Sequence, residues 1–341
     1  MKTDCLYHPI ILPGVTIPGN LFLAPLAGIT DRGFRRICIE HGAPFTYTEM
    51  VSGEALARGN AKTIALLRRA KGEKLLGVQI FLSSPEQAER ALPVIEKADP
   101  TLIDLNCGCP VPKVVKTGAG AALMRSPETI YRIVSLLSKS SSRPITVKIR
   151  TGWDSKTINY LEAAQASESA GASMITLHGR SRSQGYSGSA DWDTIAELVQ
   201  TVRVPVIGNG DAFSPEAAKR LLMETGCSGV MFARGAMGNP FIFEQTRRLL
   251  EHDSTGKIPS VAEIMKAALT QLHYTIEEKG ERVACREMRK QMTGYTKGLD
   301  GSAALRQSIV TCETEEDYRR TVEDYLSLRG ESSSSTLDLA P

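Results

Sequence analysis

The chain has 341 residues, 23% of them charged, and a formal net charge of +3; that is enough for one large core and a smaller second domain, and the near balance of charge permits an anionic partner without demanding one. Its seven cysteines, Cys5, Cys38, Cys107, Cys109, Cys227, Cys285 and Cys312, are odd in number and scattered, which argues against a disulfide framework and for a reducing, cytoplasmic setting. No apolar run follows a basic start, and no segment reaches the roughly 18 apolar residues of a membrane helix, so neither a signal peptide nor a membrane span is expected.

In chain order, residues 21–24 form a short apolar run ending in Pro25-Leu26-Ala27-Gly28, and Thr30-Asp31 starts a helix through residue 37. Residues 45–48 are a weaker second strand. Residues 76–81 are a third, with Gln79 inside the apolar run, and Ser84-Pro85-Glu86 opens the next helix with Pro at its first position. The fourth strand is 102–106, and Ser126-Pro127-Glu128 repeats the helix-start pattern. Strands at 145–150, 174–178, 206–207 and 229–233 follow, with helices clearest at 127–137, 157–169 and 215–224. Strand followed by helix, repeated eight times with short strands that are mainly apolar rather than alternating, predicts an α/β fold: a closed (β/α)8 TIM barrel, with a doubly wound sheet as the alternative.

The barrel reading gains support from where the polar residues fall. Asn106, Lys148, His178, Asn209 and Arg234 stand at successive strand ends, which a barrel gathers at one mouth, and Gln79 points in from nearby. The stretch Asp104 to Lys113 is the focus. An apolar strand stops abruptly, Pro110 forces a turn after Cys109, and Lys113, Lys116 and the small-residue run Gly118-Ala119-Gly120-Ala121-Ala122 follow. A single cysteine at a strand end is commonly just buried; these polar surroundings point to function. Gly208-Asn209-Gly210-Asp211 and Arg234-Gly235-Ala236-Met237-Gly238 follow the last two strands, where barrels bind phosphate through backbone N–H groups. Either loop alone would also suit an ordinary turn, and Asp211 is placed to cap the next helix. Cys107 and Cys109 have no second pair at ligand spacing, so no metal site is expected.

Composition changes after residue 251. Asp253-Ser254-Thr255-Gly256-Lys257 reads as a linker, Ser260 and Glu263 as a capping box, and helices are expected from there and over 282–295, 302–310 and 315–328. The expected organisation is a barrel over 1–252, a small helical domain over 258–330 and a disordered tail over 331–341. Few apolar residues flank the linker, so the barrel is expected to stand alone when cut near Gly256.

Pro25-Leu26-Ala27-Gly28-Ile29-Thr30-Asp31, Asn106-Cys107-Gly108-Cys109-Pro110, Lys148, His178-Gly179-Arg180, Gly208-Asn209-Gly210-Asp211 and Arg234-Gly235-Ala236 together resemble the bacterial tRNA-dihydrouridine synthases, in order along the chain. The resemblance implies a barrel that binds FMN, a helical tRNA-binding domain, and reduction of the C5=C6 bond of tRNA uridines with electrons from NADPH. It implies Cys109, which directly precedes the proline, as the catalytic cysteine rather than Cys107. Pro25, Ala27, Gln79, Lys148, His178, Asn209, Gly210, Ala233 and Arg234 match flavin-binding positions. Asn106, Lys113, Arg180, Arg286, Arg289, Lys290 and Lys297 are expected to contact the substrate RNA. Leu26, Ala233 and Ser181 depart from the usual Met, Gly and Thr, and none removes a charge or the thiol.

Overall fold

A computed structural model describes residues 5–330; the expected disordered tail lies outside them, as do residues 1–4. The strands are β1 (Ile10–Leu12), β2 (Val15–Ile17), β3 (Leu21–Leu23), β4 (Phe45–Tyr47), β5 (Val51–Ser52), β6 (Leu76–Phe81), β7 (Leu102–Cys107), β8 (Ile145–Arg150), β9 (Ala172–His178), β10 (Val206–Asn209) and β11 (Gly229–Phe232). All pairings from β3 onward are parallel, and β11 pairs with β3 and β4 with β6, which closes the barrel. The weak second strand is real but broken: β4 ends at Tyr47, and β5 resumes beside β6 as Val51 faces Ile80. An antiparallel hairpin, β1–β2, precedes the barrel. The sequence reading did not anticipate it, because three-residue strands carry no periodicity.

Period-two alternation sorts every barrel strand into an outer and an inner face. Leu21, Val78, Ile80, Ile103, Leu105, Val147, Ile149, Ile175, Leu177 and Val230 join the large core under the surrounding helices. Facing inward at the lower end are Phe22, Phe45, Leu102, Met174 and Ile207, sealed by Ile10, Leu12 and Ile17 of the hairpin. Above them sits a polar layer of Gln79, Asp104, Thr146 and Thr176, each no more than 1% exposed. Strand registry then raises the next inward set to the mouth: Asn106 opposite Lys148, Arg150 opposite His178, and His178 opposite Asn209.

The helices are α1 (Arg32–Glu40), α2 (Gly53–Ala57), α3 (Ala61–Ala65), α4 (Pro85–Lys97), α5 (Pro112–Val115), α6 (Pro127–Ser140), α7 (Tyr160–Ser169), α8 (Asp193–Thr201), α9 (Pro215–Thr225) and α10 (Ile242–His252) around the barrel, then α11 (Val261–Lys279), α12 (Glu281–Tyr295), α13 (Ser302–Val310) and α14 (Glu315–Leu328). Ser84, Ser126 and Ser214 cap α4, α6 and α9 through their side chains, each with Pro in the first turn. Such caps are typically worth about 1 kcal/mol each. Ser260 and Glu263 make both bonds of the capping box that starts α11. A separate core of Met265, Leu272, Met288, Met292, Tyr295, Tyr318 and Leu326 unites the four C-terminal helices.

The two cores are pressed together more closely than the linker composition implies. A Cβ on Gly33 of α1 would lie 2.4 Å from Thr275 Oγ1 of α11. Across the same face Arg36 pairs with Glu277 at 2.8 Å and Arg32 with Glu278 at 2.8 Å. No helix among the described residues is long and apolar enough to cross a membrane.

Candidate active site

A cavity of about 420 Å³ opens at the C-terminal ends of the barrel strands, where the sequence places it. Its floor is a directional chain of hydrogen bonds. Asn106 Oδ1 accepts the N–H groups of Gly108 (3.2 Å) and Cys109 (2.9 Å), so its amide nitrogen must face the other way, onto Gln79 Oε1 at 2.7 Å. Gln79 Nε2 therefore turns to Asp104 Oδ2 at 2.8 Å, and the other Asp104 oxygen takes the Thr146 hydroxyl. Only one assignment of the two amides satisfies every partner. Asp104, which the sequence reading left without a role, thus fixes the orientation of two cavity-lining side chains. Its position two residues before Asn106, on the same strand face, was the available signal.

The turn carrying the thiol is held from below and from the side. The Cys109 carbonyl accepts from Ala121 N at 3.0 Å. Gly120, at φ +62°, would drive a Cβ to 2.9 Å from that carbonyl, which explains the glycine at this position of the small-residue run. Arg150 Nε donates to Gly108 O at 2.8 Å, while its Nη1 donates to Ser181 O and Gly185 O. Arg150 thereby ties the thiol turn to the loop bearing Tyr186. Cys109 lines the cavity, whereas Cys107 is fully buried on the outer face of β7.

On the opposite wall, the loops after β10 and β11 present backbone and cationic groups to the cavity. Gly210 has φ +120°, and a Cβ there would come within 2.6 Å of Ala190 Cβ and 3.0 Å of His178 Cδ2; Trp192 Nε1 holds its carbonyl at 3.1 Å. The N–H groups of Arg234 and Gly235, both lining the cavity, find no backbone acceptor among the described residues. The Arg234 guanidinium lies between the rings of Tyr186 (4.8 Å) and Phe213 (5.0 Å), about half exposed both. Lys148 Nζ donates to Asn209 Oδ1 at 2.9 Å, and Asn209 Nδ2 to Met231 O at 2.8 Å.

Burial dominates the protonation of these groups. It lowers Lys148 to about 7, helped by nearby Arg150 and opposed by Asp104. It raises Asp104 from 3.8 to about 6, against its hydrogen bonds and the charge of Lys148. His178 is pushed well below its ordinary value by burial and by the cations Lys148, Arg150, Arg180 and Arg234, so it is a neutral ring at pH 7. Burial raises the Cys109 thiol, outweighing a backbone hydrogen bond and Arg150, so the proton stays on sulfur. Among the described residues no group of three or more His, Cys, Asp or Glu is disposed to hold a metal.

Of the expected residues, Pro25, Ala27, Gln79, Asn106, Cys109, Lys148, His178, Asn209, Gly210, Ala233, Arg234 and Lys290 all line this cavity. Others lie elsewhere. Arg180 is 2% exposed and fully engaged: it grips Asp211 through both carboxylate oxygens (2.8 and 2.9 Å) and donates to the carbonyls of Ser187 and Gly188. These bonds anchor the loop that bears Tyr186. Asp211 does not cap the next helix either; Ser214 does, and Asp211 holds Arg180, Arg234 and the Ala190 N–H. Arg289 turns into the helical domain, donating to Cys312 O at 3.0 Å. Lys113, Arg286 and Lys297 are exposed and outside the cavity lining. Arg150, Tyr186 and Phe213 were missed. Arg150 was readable as the next inward position after Lys148; Tyr186 and Phe213 sit on loops, where no pattern singles them out.

Solved structures sharing this architecture include histamine dehydrogenase from Rhizobium sp. 4-9 (TM-score 0.57, 14% identity over 80% of this chain) and the 6-hydroxypseudooxynicotine amine oxidase of Pseudomonas geniculata N1 (0.57, 14%, 77%). The chain spans about half of each, 51% and 52%, and at this identity the likeness defines a class by fold alone: the (β/α)8 barrels. Sequence comparison then gives the particular family. The profile of Dihydrouridine synthase (Dus) matches residues 22–329. The chain is 44% identical to a probable tRNA-dihydrouridine synthase of Treponema pallidum over 95% of its length and 98% of that protein's, and 35% identical to tRNA-dihydrouridine synthase B of Pasteurella multocida, covering 86% and 88%. This protein belongs to the dihydrouridine synthase family.

Proposed function

We propose that the protein binds FMN in the barrel cavity and uses NADPH to reduce the C5=C6 bond of uridines in tRNA to 5,6-dihydrouridine. Family membership supports the reaction. The observation in this chain that carries the reading is a protonated thiol, Cys109, facing one cavity with the Lys148 amine and the Arg234–Gly235 anion loop.

The residues present fit a flavin phosphate. A cavity of about 420 Å³ is of small-molecule size, and its far wall offers glycine-permitted backbone approach, unpaired N–H groups and the Arg234 guanidinium. Gln79, His178 and Asn209 complete the lining, with Pro25, Ala27 and Ala233 as its apolar faces. Bound there, the flavin supplies the hydride. Lys148, buried and able to carry charge near neutral pH, is placed to stabilise negative charge on the ring system. The uracil C6 is the electron-poor end of the double bond, so C5 must receive a proton. Cys109 holds one: burial keeps its thiol protonated, and the Asn106 and Arg150 bonds fix the turn it rides on.

A uridine within folded RNA must leave its stack to reach this depth. Tyr186, exposed at the rim, offers a stacking face. Lys290 at the mouth and the exposed Arg286, Lys113 and Lys297 offer charge to phosphates. The proposed partner is tRNA, and the proposed compartment the cytoplasm.

The test is reconstitution. Purified protein should take up FMN, be reduced by NADPH, and be reoxidised by tRNA lacking dihydrouridine with formation of that base, whereas free uridine should leave it reduced. Failure to take up flavin, or equal turnover of free uridine, overturns the proposal.

A further inference from the structure

Among the described residues, α12 is the one helix of the helical domain that lines the cavity. Gly294 of α12 and Gly238 of the loop after β11 meet backbone to backbone. A Cβ on Gly238 would lie 2.1 Å from Tyr295 N, and a Cβ on Gly294 would lie 2.6 Å from Met237 O. That loop carries Arg234, Gly235 and Met237, all lining the cavity. One turn earlier on α12, Gln291 Nε2 donates to Ile29 O at 3.4 Å, on the loop after β3 that supplies Pro25, Leu26, Ala27 and Ile29. Glu287, a further turn back, accepts at 2.6 Å from the Lys279 amine of α11, which itself donates to Asp31 at 2.6 Å, so this tie of α12 to the loop runs through α11. Asp31 caps α1 at the end of the same loop. Since β3 and β11 are neighbours in the barrel, α12 spans the two loops that close one side of the cavity, and its Lys290 lines the cavity directly.

We infer that α12 is a positioning element of the cofactor site, fixing the loops after β3 and β11, in addition to any part its surface has in holding RNA. This rests on the flavin reading above. Two packed backbones leave no slack: a shift of α12 must move the Met237–Gly238 segment, and with it Arg234 and Gly235, because packed interiors transmit displacement rather than absorb it. The choice of glycine at 294 points the same way. It is the penultimate residue of α12, and the Cβ that any other residue would bring there meets the Met237 carbonyl oxygen at 2.6 Å, so the close approach itself accounts for the glycine.

Gly294→Ala tests the inference, with the exposed neighbour Thr293→Ala as control. FMN affinity is measured by quenching of flavin fluorescence, together with the visible spectrum of the bound flavin and the rate of NADPH reduction. The expected result is FMN affinity at least tenfold weaker in Gly294→Ala, an altered spectrum, and a reduction rate restored to within about twofold by saturating FMN, while Thr293→Ala matches the parent. Loss of thermal stability alone does not produce that split. A folded Gly294→Ala with parental FMN affinity and spectrum overturns the inference. Should that variant fail to fold, Gln291→Leu is read in the same way, with a shift of at least threefold expected and no shift overturning it. A parent protein that binds no FMN overturns the flavin reading and this inference with it; a parent that binds FMN beside an unaffected variant overturns this inference alone.

Discussion

Asp104 performs two jobs that substitution can separate. Asp104→Asn keeps an acceptor for Gln79 Nε2 and presents an NH2 group to the Thr146 hydroxyl, so the amide chain up to Cys109 survives without the charge. Asp104→Leu leaves both partners buried and unsatisfied. At about 1–3 kcal/mol for each stranded group, Leu should cost about 2–6 kcal/mol and release the orientations of Gln79 and Asn106. The charge has its own signature. Burial raises the carboxyl from 3.8 to about 6, so its folded pKa lies above its unfolded one. As pH rises from about 4 to about 6, the unfolded chain gives up the proton first, and stability falls by about 3 kcal/mol relative to an uncharged side chain. Urea unfolding of parent and Asp104→Asn between pH 4 and pH 7.5 reads the difference. The variant should gain on the parent across that window and should keep its flavin and its thiol turn, while Asp104→Leu, equally uncharged, should be less stable than Asp104→Asn at every pH and bind flavin poorly. A Leu variant matching the Asn variant, or an Asn variant whose stability difference from the parent stays flat with pH, refutes the role given to this carboxyl.

Two further outcomes follow from charge at the cavity. Lys148 titrates near 7 in the free protein, and a bound anion favours its charged form; FMN affinity should therefore fall as pH rises above about 7, by up to about tenfold per pH unit, and this slope should vanish in Lys148→Met titrated over pH 6–9. Removing Lys290 and Arg286 together should weaken tRNA binding and reduce the salt dependence of log Kd by about 1–2, with FMN affinity measured beside it to separate RNA contact from damage to the cavity.

The barrel was legible because its strands are short, apolar and covered on the outside, leaving the rare inward polar residue as a marker. Gln79, Asn106, Lys148, His178 and Asn209 could be placed at one mouth for that reason. Roles that depend on burial were not legible. Arg180 reads as a free cation beside His178, but only the fold shows it closed onto Asp211. The pairing of Gly238 with Gly294 joins positions far apart in sequence, and each glycine alone looks like an ordinary loop or helix residue. The linker at 253–257 invited the expectation of a barrel that stands alone; α12 argues that a cut near Gly256 would strip support from the cofactor loops as well as the proposed RNA surface. The β1–β2 hairpin escaped notice because its role, plugging the barrel floor, is set by partners elsewhere in the chain.

The central claim is that Cys109 gives the proton that completes reduction of a tRNA uridine. Its most direct test is a single turnover with the enzyme-bound flavin reduced beforehand by NADPH, comparing the parent with Cys109→Ala on tRNA lacking dihydrouridine. The account predicts that the variant binds FMN and accepts electrons as the parent does, yet forms dihydrouridine at least about a hundredfold more slowly, in keeping with the usual contribution of a positioned acid. Dihydrouridine formed by Cys109→Ala at the parental rate would contradict it.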